Sequence, residues 1–165
     1  MNVSCLIVYS SMTGNTEEIA NLIGIGIQET SGSVTIKDIL EVDVTDLQDY
    51  DCISLGAYTW GDGELPDEYL DFYHEMAQFN LTGKKAAAFG SCDSSYEHRG
   101  GAVDILEKKL AELGADIVFE GLKIDLSPTA TGIEQCIKFG QSFVEKLLFS
   151  CEEVGKDEYD GTGIE

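Results

Sequence analysis

Residues 5–16, Cys5-Leu6-Ile7-Val8-Tyr9-Ser10-Ser11-Met12-Thr13-Gly14-Asn15-Thr16, pass from an apolar run through a hydroxyl-rich turn into a helical pattern. The stripe Ile19, Leu22, Ile23 and Ile27 carries that helix onward. A helix start leaves backbone N–H groups without partners and carries a partial positive charge, so it suits a phosphate. Ser11, Thr13 and Thr16 add hydroxyls, Asn15 adds an amide, and Met12 adds a backbone N–H. Gly14 lets the backbone approach a ligand closely. The turn holds no Lys or Arg and lacks the Gly-Lys-Ser/Thr ending of a nucleoside triphosphate loop. It reads as a cradle for one phosphate monoester, made of neutral donors. The plainer alternative is a polar helix cap that binds nothing; the density of donors around one glycine favours the anion site.

Outward from this turn, apolar runs alternate with helix-period stretches. Strand-like segments are Ser33–Ile39, Asp51–Ala57, Lys85–Ser91 and Ile117–Ile124. Helical stripes are Tyr69/Phe72/Tyr73/Met76, Val103/Leu106/Leu110/Leu113 and Ile133/Ile137/Gly140/Val144/Leu147. Pro66 suits a first helical turn and Gly114 a helix stop. Strands apolar on both faces, alternating with helices, specify an α/β fold with a parallel sheet covered on each side. The segment Glu41–Tyr50 is compatible with a helix or a loop. Gly24-Ile25-Gly26 lies inside the first helix stripe, so helix packing accounts for it better than a dinucleotide fingerprint does. The periodicity stops near Cys151, which divides the chain into one domain, 1–149, and an acidic tail, 150–165, expected to be mobile.

At 165 residues and 43% hydrophobic, the chain can bury a core without disulfides. Its five cysteines form no C-x-x-C pair, and Cys5 and Cys52 fall in buried strands. Free thiols in a reducing cytoplasm are therefore expected. The apolar runs are too short to span a bilayer. A net charge of −21 disfavours nucleic acid and anionic membranes and suits a basic protein partner.

In such a sheet, ligands sit beyond the carboxyl ends of the strands. Three loops meet there: the phosphate turn, Tyr58–Glu64 after the third strand, and Ser91–Gly100 after the fourth. Trp60, the only tryptophan, stands among Thr59, Gly61 and Asp62, and Tyr96 stands in the facing loop among polar residues. Two rings at one mouth can sandwich a flat heterocycle. With the cradle, they point to a ligand that has a flat ring at one end and a phosphate at the other.

Here the chain resembles a known family. Ile7-Val8-Tyr9-x-Ser11-x-x-Gly14-x-Thr16-x-x-x-Ala20-x-x-Ile23 is similar to the flavodoxin signature at every position. Thr59-Trp60-Gly61-Asp62 and Asp93-Ser94-Ser95-Tyr96 resemble that family's two flavin loops. The region Asp116–Asp125 carries no long insertion, as in the short-chain branch. The resemblance implies a doubly wound five-stranded sheet of order 2-1-3-4-5 in three layers; this family is itself the usual example of that order with FMN at the switch point. It implies that Ser11 to Thr16 hold the FMN phosphate and that Trp60 and Tyr96 flank the ring. Backbone groups near Thr59, Gly61, Asp62, Cys92 and Asp93 would bond the ring's polar edge. Tyr58, Ser91, His98, Arg99 and Gly100 complete the candidate set. Met12, Tyr58 and His98-Arg99-Gly100 depart from the residues common in the family, and His98 is placed where its protonation can tune the flavin.

The implied function is a low-potential one-electron carrier, not an enzyme, that cycles between semiquinone and hydroquinone. It would take electrons from a basic-surfaced reductase of the ferredoxin/flavodoxin-NADP type and deliver them to acceptor redox enzymes, as a cytoplasmic monomer. The family's reorienting peptide after Gly61 would favour the semiquinone, because only Gly reaches the positive φ at low cost. The rivals are an FMN-dependent NAD(P)H:quinone oxidoreductase, which Tyr96 would obstruct, and a flavodoxin-like activator of a metalloenzyme, a class that lacks the Trp60/Tyr96 pair.

Overall fold

Side chains alternate across β1 (Ser4–Ser10), so Cys5 and Ile7 face one side of the sheet and Leu6 and Val8 the other. All four are buried, which requires a layer on each face. A computed structural model, which describes residues 3–30, 32–93 and 99–160 and side chains as far as residue 148, supplies both layers. The first layer holds α1 (Asn15–Glu29) and α4 (Ala130–Asp160), packed over Ile7, Ala87 and Phe89. The second holds α2 (Leu70–Glu75) and α3 (Gly101–Glu112), packed over Leu6, Val8, Ile53 and Leu55.

Between β1 and β4 (Lys85–Cys92) the remaining strands are β2 (Ser33–Asp38) and β3 (Cys52–Ala57), and every pairing is parallel. The strand order is β2-β1-β3-β4-β5, as expected. The fifth position is filled by two short segments. β5 (Asp116–Ile117) pairs with Lys85–Ala86, and β6 (Leu122–Asp125) pairs with Phe89–Cys92. The register shifts by two residues between them, so the segment expected to run unbroken contains a small bulge and no inserted subdomain.

Local chemistry explains the helix ends. Gly114 takes φ +95 after α3, its N–H bonds the Ala111 carbonyl, and the Ala115 N–H reaches back to Leu110, a Schellman stop. The ambiguous stretch after β2 contains a 3-10 turn, Val44–Gln48, closed by a capping box between Asp43 and Asp46. Gly26 and Gly140 bring α1 and α4 into backbone contact. A Cβ on Gly26 would lie 2.0 Å from the Ile137 carbonyl oxygen, and one on Gly140 would lie 2.1 Å from that of Ile23. This is the packing role assigned to Gly26 from sequence. The boundary expected at 149/150 falls inside α4, which continues to Asp160; residues 161–165 lie outside the described residues. Cys5, Cys52, Cys92 and Cys136 are buried free thiols.

Candidate functional site

The carboxyl ends of β1, β3 and β4 open onto one cleft of about 140 Å³. It is a partly open slot lined from three loops. Met12, Thr13 and Asn15 line it from the first loop, and Tyr58, Thr59 and Gly61 from the second. Ser91, Cys92, Asp93, Arg99 and Gly100 line it from the third. Three loops far apart in the chain thus meet at one place.

At the first loop, Gly14 is the N-cap of α1 with φ +90, and no side chain caps the helix. Its leading N–H groups are therefore left for a ligand beside the exposed Met12 and Thr13. Two of the expected hydroxyls also bond within the protein. Ser11 Oγ accepts the Gly14 N–H at 3.0 Å, and the buried Thr16 hydroxyl shares a 2.8 Å bond with Ser91 Oγ. These bonds shape the loop and tie it to β4; of residues 11–16, Met12, Thr13 and Asn15 line the cleft.

The second loop is a tight turn. Trp60 and Glu64 exchange backbone hydrogen bonds of 2.8 Å, with Gly61 at φ +53 between them. Trp60 is 47% exposed, and neither it nor Asp62 lines the cleft wall, so the indole stands at the rim. Tyr58 meets Trp60 edge to face, with ring centroids 6.4 Å apart. The Tyr58 hydroxyl donates to Glu68 Oε1 at 2.8 Å, and Ser10 Oγ donates to the same oxygen at 2.7 Å. Burial and the Glu68 carboxylate together push the Tyr58 phenol up to about 12. For Glu68, partial burial works upward, but the bonds from Ser10, its own backbone and Tyr58 outweigh it and hold the carboxyl below its ordinary value.

A carboxyl with a lowered folded pKa contributes stability above its unfolded value, and that contribution fades as pH falls through the folded value. Glu68→Gln is therefore expected to cost below about 1 kcal/mol at neutral pH, since solvent screens this exposed group. The difference from the parent should vanish on acidification below the ordinary 4.5, as read by urea melts across pH.

The third loop rests on the second. Ala102 N–H donates to Thr59 Oγ1 at 3.4 Å, and a Cβ on Gly101 would lie 2.6 Å from the Gly63 Cα. Tyr96 and His98 lie outside the described residues. One lining residue escaped the sequence reading. Leu126 follows β6, is 55% exposed and takes φ +57, held by its N–H on the Cys92 carbonyl at 2.7 Å. A left-handed leucine is unfavourable by about 1–2 kcal/mol. The rule that pointed to the other loops, that ligands gather beyond strand ends, points here as well once β6 is taken as a strand of the same sheet.

Residues 7–140 match the family model described as Flavodoxin. This chain belongs to the flavodoxin family. It is 45% identical over 142 residues to probable flavodoxin 2 of Bacillus subtilis, covering 86% of this chain and 94% of that protein. The crystal structure of oxidised flavodoxin 1 from Bacillus cereus is 51% identical, covers 86% of this chain and 97% of its own, and superposes with a TM-score of 0.83. A short-chain flavodoxin associated with a non-canonical PDU bacterial microcompartment is 35% identical, with 87% and 98% covered and a TM-score of 0.84. Flavodoxins carry electrons on FMN and are not enzymes. The residues present fit that cofactor: an uncapped helix start offers N–H donors to a phosphate, and an open slot runs from it to an aromatic rim. No helix among the described residues is long and apolar enough to cross a membrane.

Proposed function

We propose that this flavodoxin is a low-potential one-electron carrier, cycling its FMN between half-reduced and fully reduced states. It takes electrons from a reductase of the ferredoxin/flavodoxin-NADP type and passes them to acceptor enzymes. The observation that carries the reading is the convergence of an uncapped α1 start and a Trp60-bearing turn on one slot. Ser11, Met12, Thr13, Gly14, Asn15 and Thr16 hold the phosphate, with Met12, Thr13 and Asn15 lining the slot itself. Thr59, Gly61, Asp62, Cys92 and Asp93 bond the ring's polar edge through the backbone, and Trp60 and Tyr96 flank it. When bound, FMN supplies the one-electron chemistry.

The surroundings set the potential. Residues 58–69 include Asp62, Glu64, Asp67 and Glu68 and no Lys or Arg, so added negative charge on the ring is opposed. Gly61 has open space around its Cα and a left-handed φ, which leaves its peptide room to reorient. A groove beside Glu68 joins exposed Leu40, half-buried Val42 and Val44 and buried Phe72 to Asp43, Asp71 and Glu75, a surface suited to a basic partner whose approach weakens with salt. The protein works as a cytoplasmic monomer, with 1–149 as the FMN domain and 150–165 as an acidic appendage beyond it.

Stepwise anaerobic reduction of the FMN-loaded protein tests this. The half-reduced form is expected to accumulate in high yield before full bleaching, and Gly61→Val should lower that yield. Direct two-electron bleaching of the parent protein would overturn the carrier reading in favour of an oxidoreductase.

A further inference from the structure

Arg99 is the one basic residue among the described residues that line the cleft, in a chain of net charge −21. Its guanidinium is exposed but held: Nε donates to Cys92 Sγ at 3.3 Å, and the Cys92 thiol donates in turn to the Ile124 carbonyl at 3.5 Å. Lys123, which packs over Gly100, is occupied by Asp104 at 2.9 Å.

The position of Arg99 says which part of a ligand it serves. Ser91 faces α1, where Thr16 bonds it, so its strand neighbour Cys92 faces the opposite side of β4. Arg99 follows Cys92 to that side. It directly precedes Gly100–Ala102, the segment against which Thr59 and Gly63 rest. Its charge therefore belongs to the loops at the aromatic end of the slot and not to the phosphate turn.

We propose that Arg99 is a redox-tuning residue, a fixed cation that favours the negative charge which FMN acquires on full reduction and so offsets part of the acidic rim. The inference rests on the one-electron carrier reading above. The thiol contact and the nearby Asp125 hold the guanidinium's pKa above its ordinary value, so the charge is present at every working pH. Asp125 also shares its field, which keeps the effect moderate.

The test compares the FMN-loaded parent, Arg99→Gln and Arg99→Lys by anaerobic spectroelectrochemistry, with FMN and riboflavin affinities measured by fluorescence. Arg99→Gln is expected to disfavour the fully reduced over the half-reduced form about tenfold, a downward shift of about 59 mV in the second one-electron couple. Arg99→Lys should recover most of that shift. An unchanged second couple in Arg99→Gln would overturn the proposal. So would a tenfold loss of affinity for FMN but not for riboflavin, which would mean that Arg99 serves the phosphate. Failure of the underlying carrier reading looks different, because the parent itself would then lack two separate one-electron steps.

Discussion

Replacing Gly26 or Gly140 by Ala is expected to lower stability by about 2–3 kcal/mol, as measured by urea melts with an unchanged m-value. Intrinsic propensity predicts the opposite sign. Both glycines lie inside long helices, where Ala is favoured over Gly by about 1 kcal/mol. The contact decides. Each added methyl would stand about 2 Å from a backbone carbonyl of the other helix, at Ile137 or Ile23, and backbone cannot move aside as a flexible side-chain end can. The two helices must then separate, which loosens Ile19, Ile23, Ile27, Phe143 and Val144 in the layer between them and the sheet. Because both methyls force the same separation, the double variant should cost less than the sum of the two single ones. A stabilising Gly26→Ala would show that the helices are held by something other than this close approach.

Thr13→Val is expected to weaken FMN binding ten- to a hundredfold while leaving riboflavin affinity nearly unchanged. Thr13 is exposed at the uncapped start of α1 and lines the slot. A hydrogen bond to a charged group contributes about 1.5–3 kcal/mol, and about 1.4 kcal/mol corresponds to a factor of ten. The first loop holds no Lys or Arg to compensate for a lost donor. Riboflavin lacks the phosphate and serves as the internal control. Fluorescence titration of the apoprotein with both ligands reads the ratio directly. Equal losses for the two would move Thr13 out of the phosphate cradle and into general loop packing.

The fold was legible in the sequence because buried strands and amphipathic helices write their periodicity plainly. Cys5–Tyr9 and Lys85–Ser91 are apolar on both faces since each face is covered. The break at Val118–Gly121 was not legible, because Val118, Phe119 and Leu122 are as apolar as a continuous strand would be. Periodicity does not report which backbone groups a two-residue register shift leaves unpaired. The three loops of the slot were legible from their donors and rings. The division of labour within them was not. Ser11 and Thr16 carry the same hydroxyl as Thr13, and only the folded geometry shows that the first also accepts the Gly14 N–H and the second bonds Ser91. Glu68 is one acidic residue among several in 58–69, yet its carboxylate props Tyr58, a pairing ten residues apart that no local pattern announces. Leu126 has no sequence signal of its own, because a leucine in a left-handed turn looks like any other leucine.

The meeting of Gly63 with Gly101 makes the slot a single inherited unit rather than two independent halves. Any side chain on Gly101 would drive into the backbone of the turn that carries Trp60, so neither loop can be redesigned without regard to the other. Grafting another relative's 58–64 turn onto this scaffold would succeed only if its partner at 99–102 travelled with it. That interlock restricts drift: the two segments can change only as a matched pair.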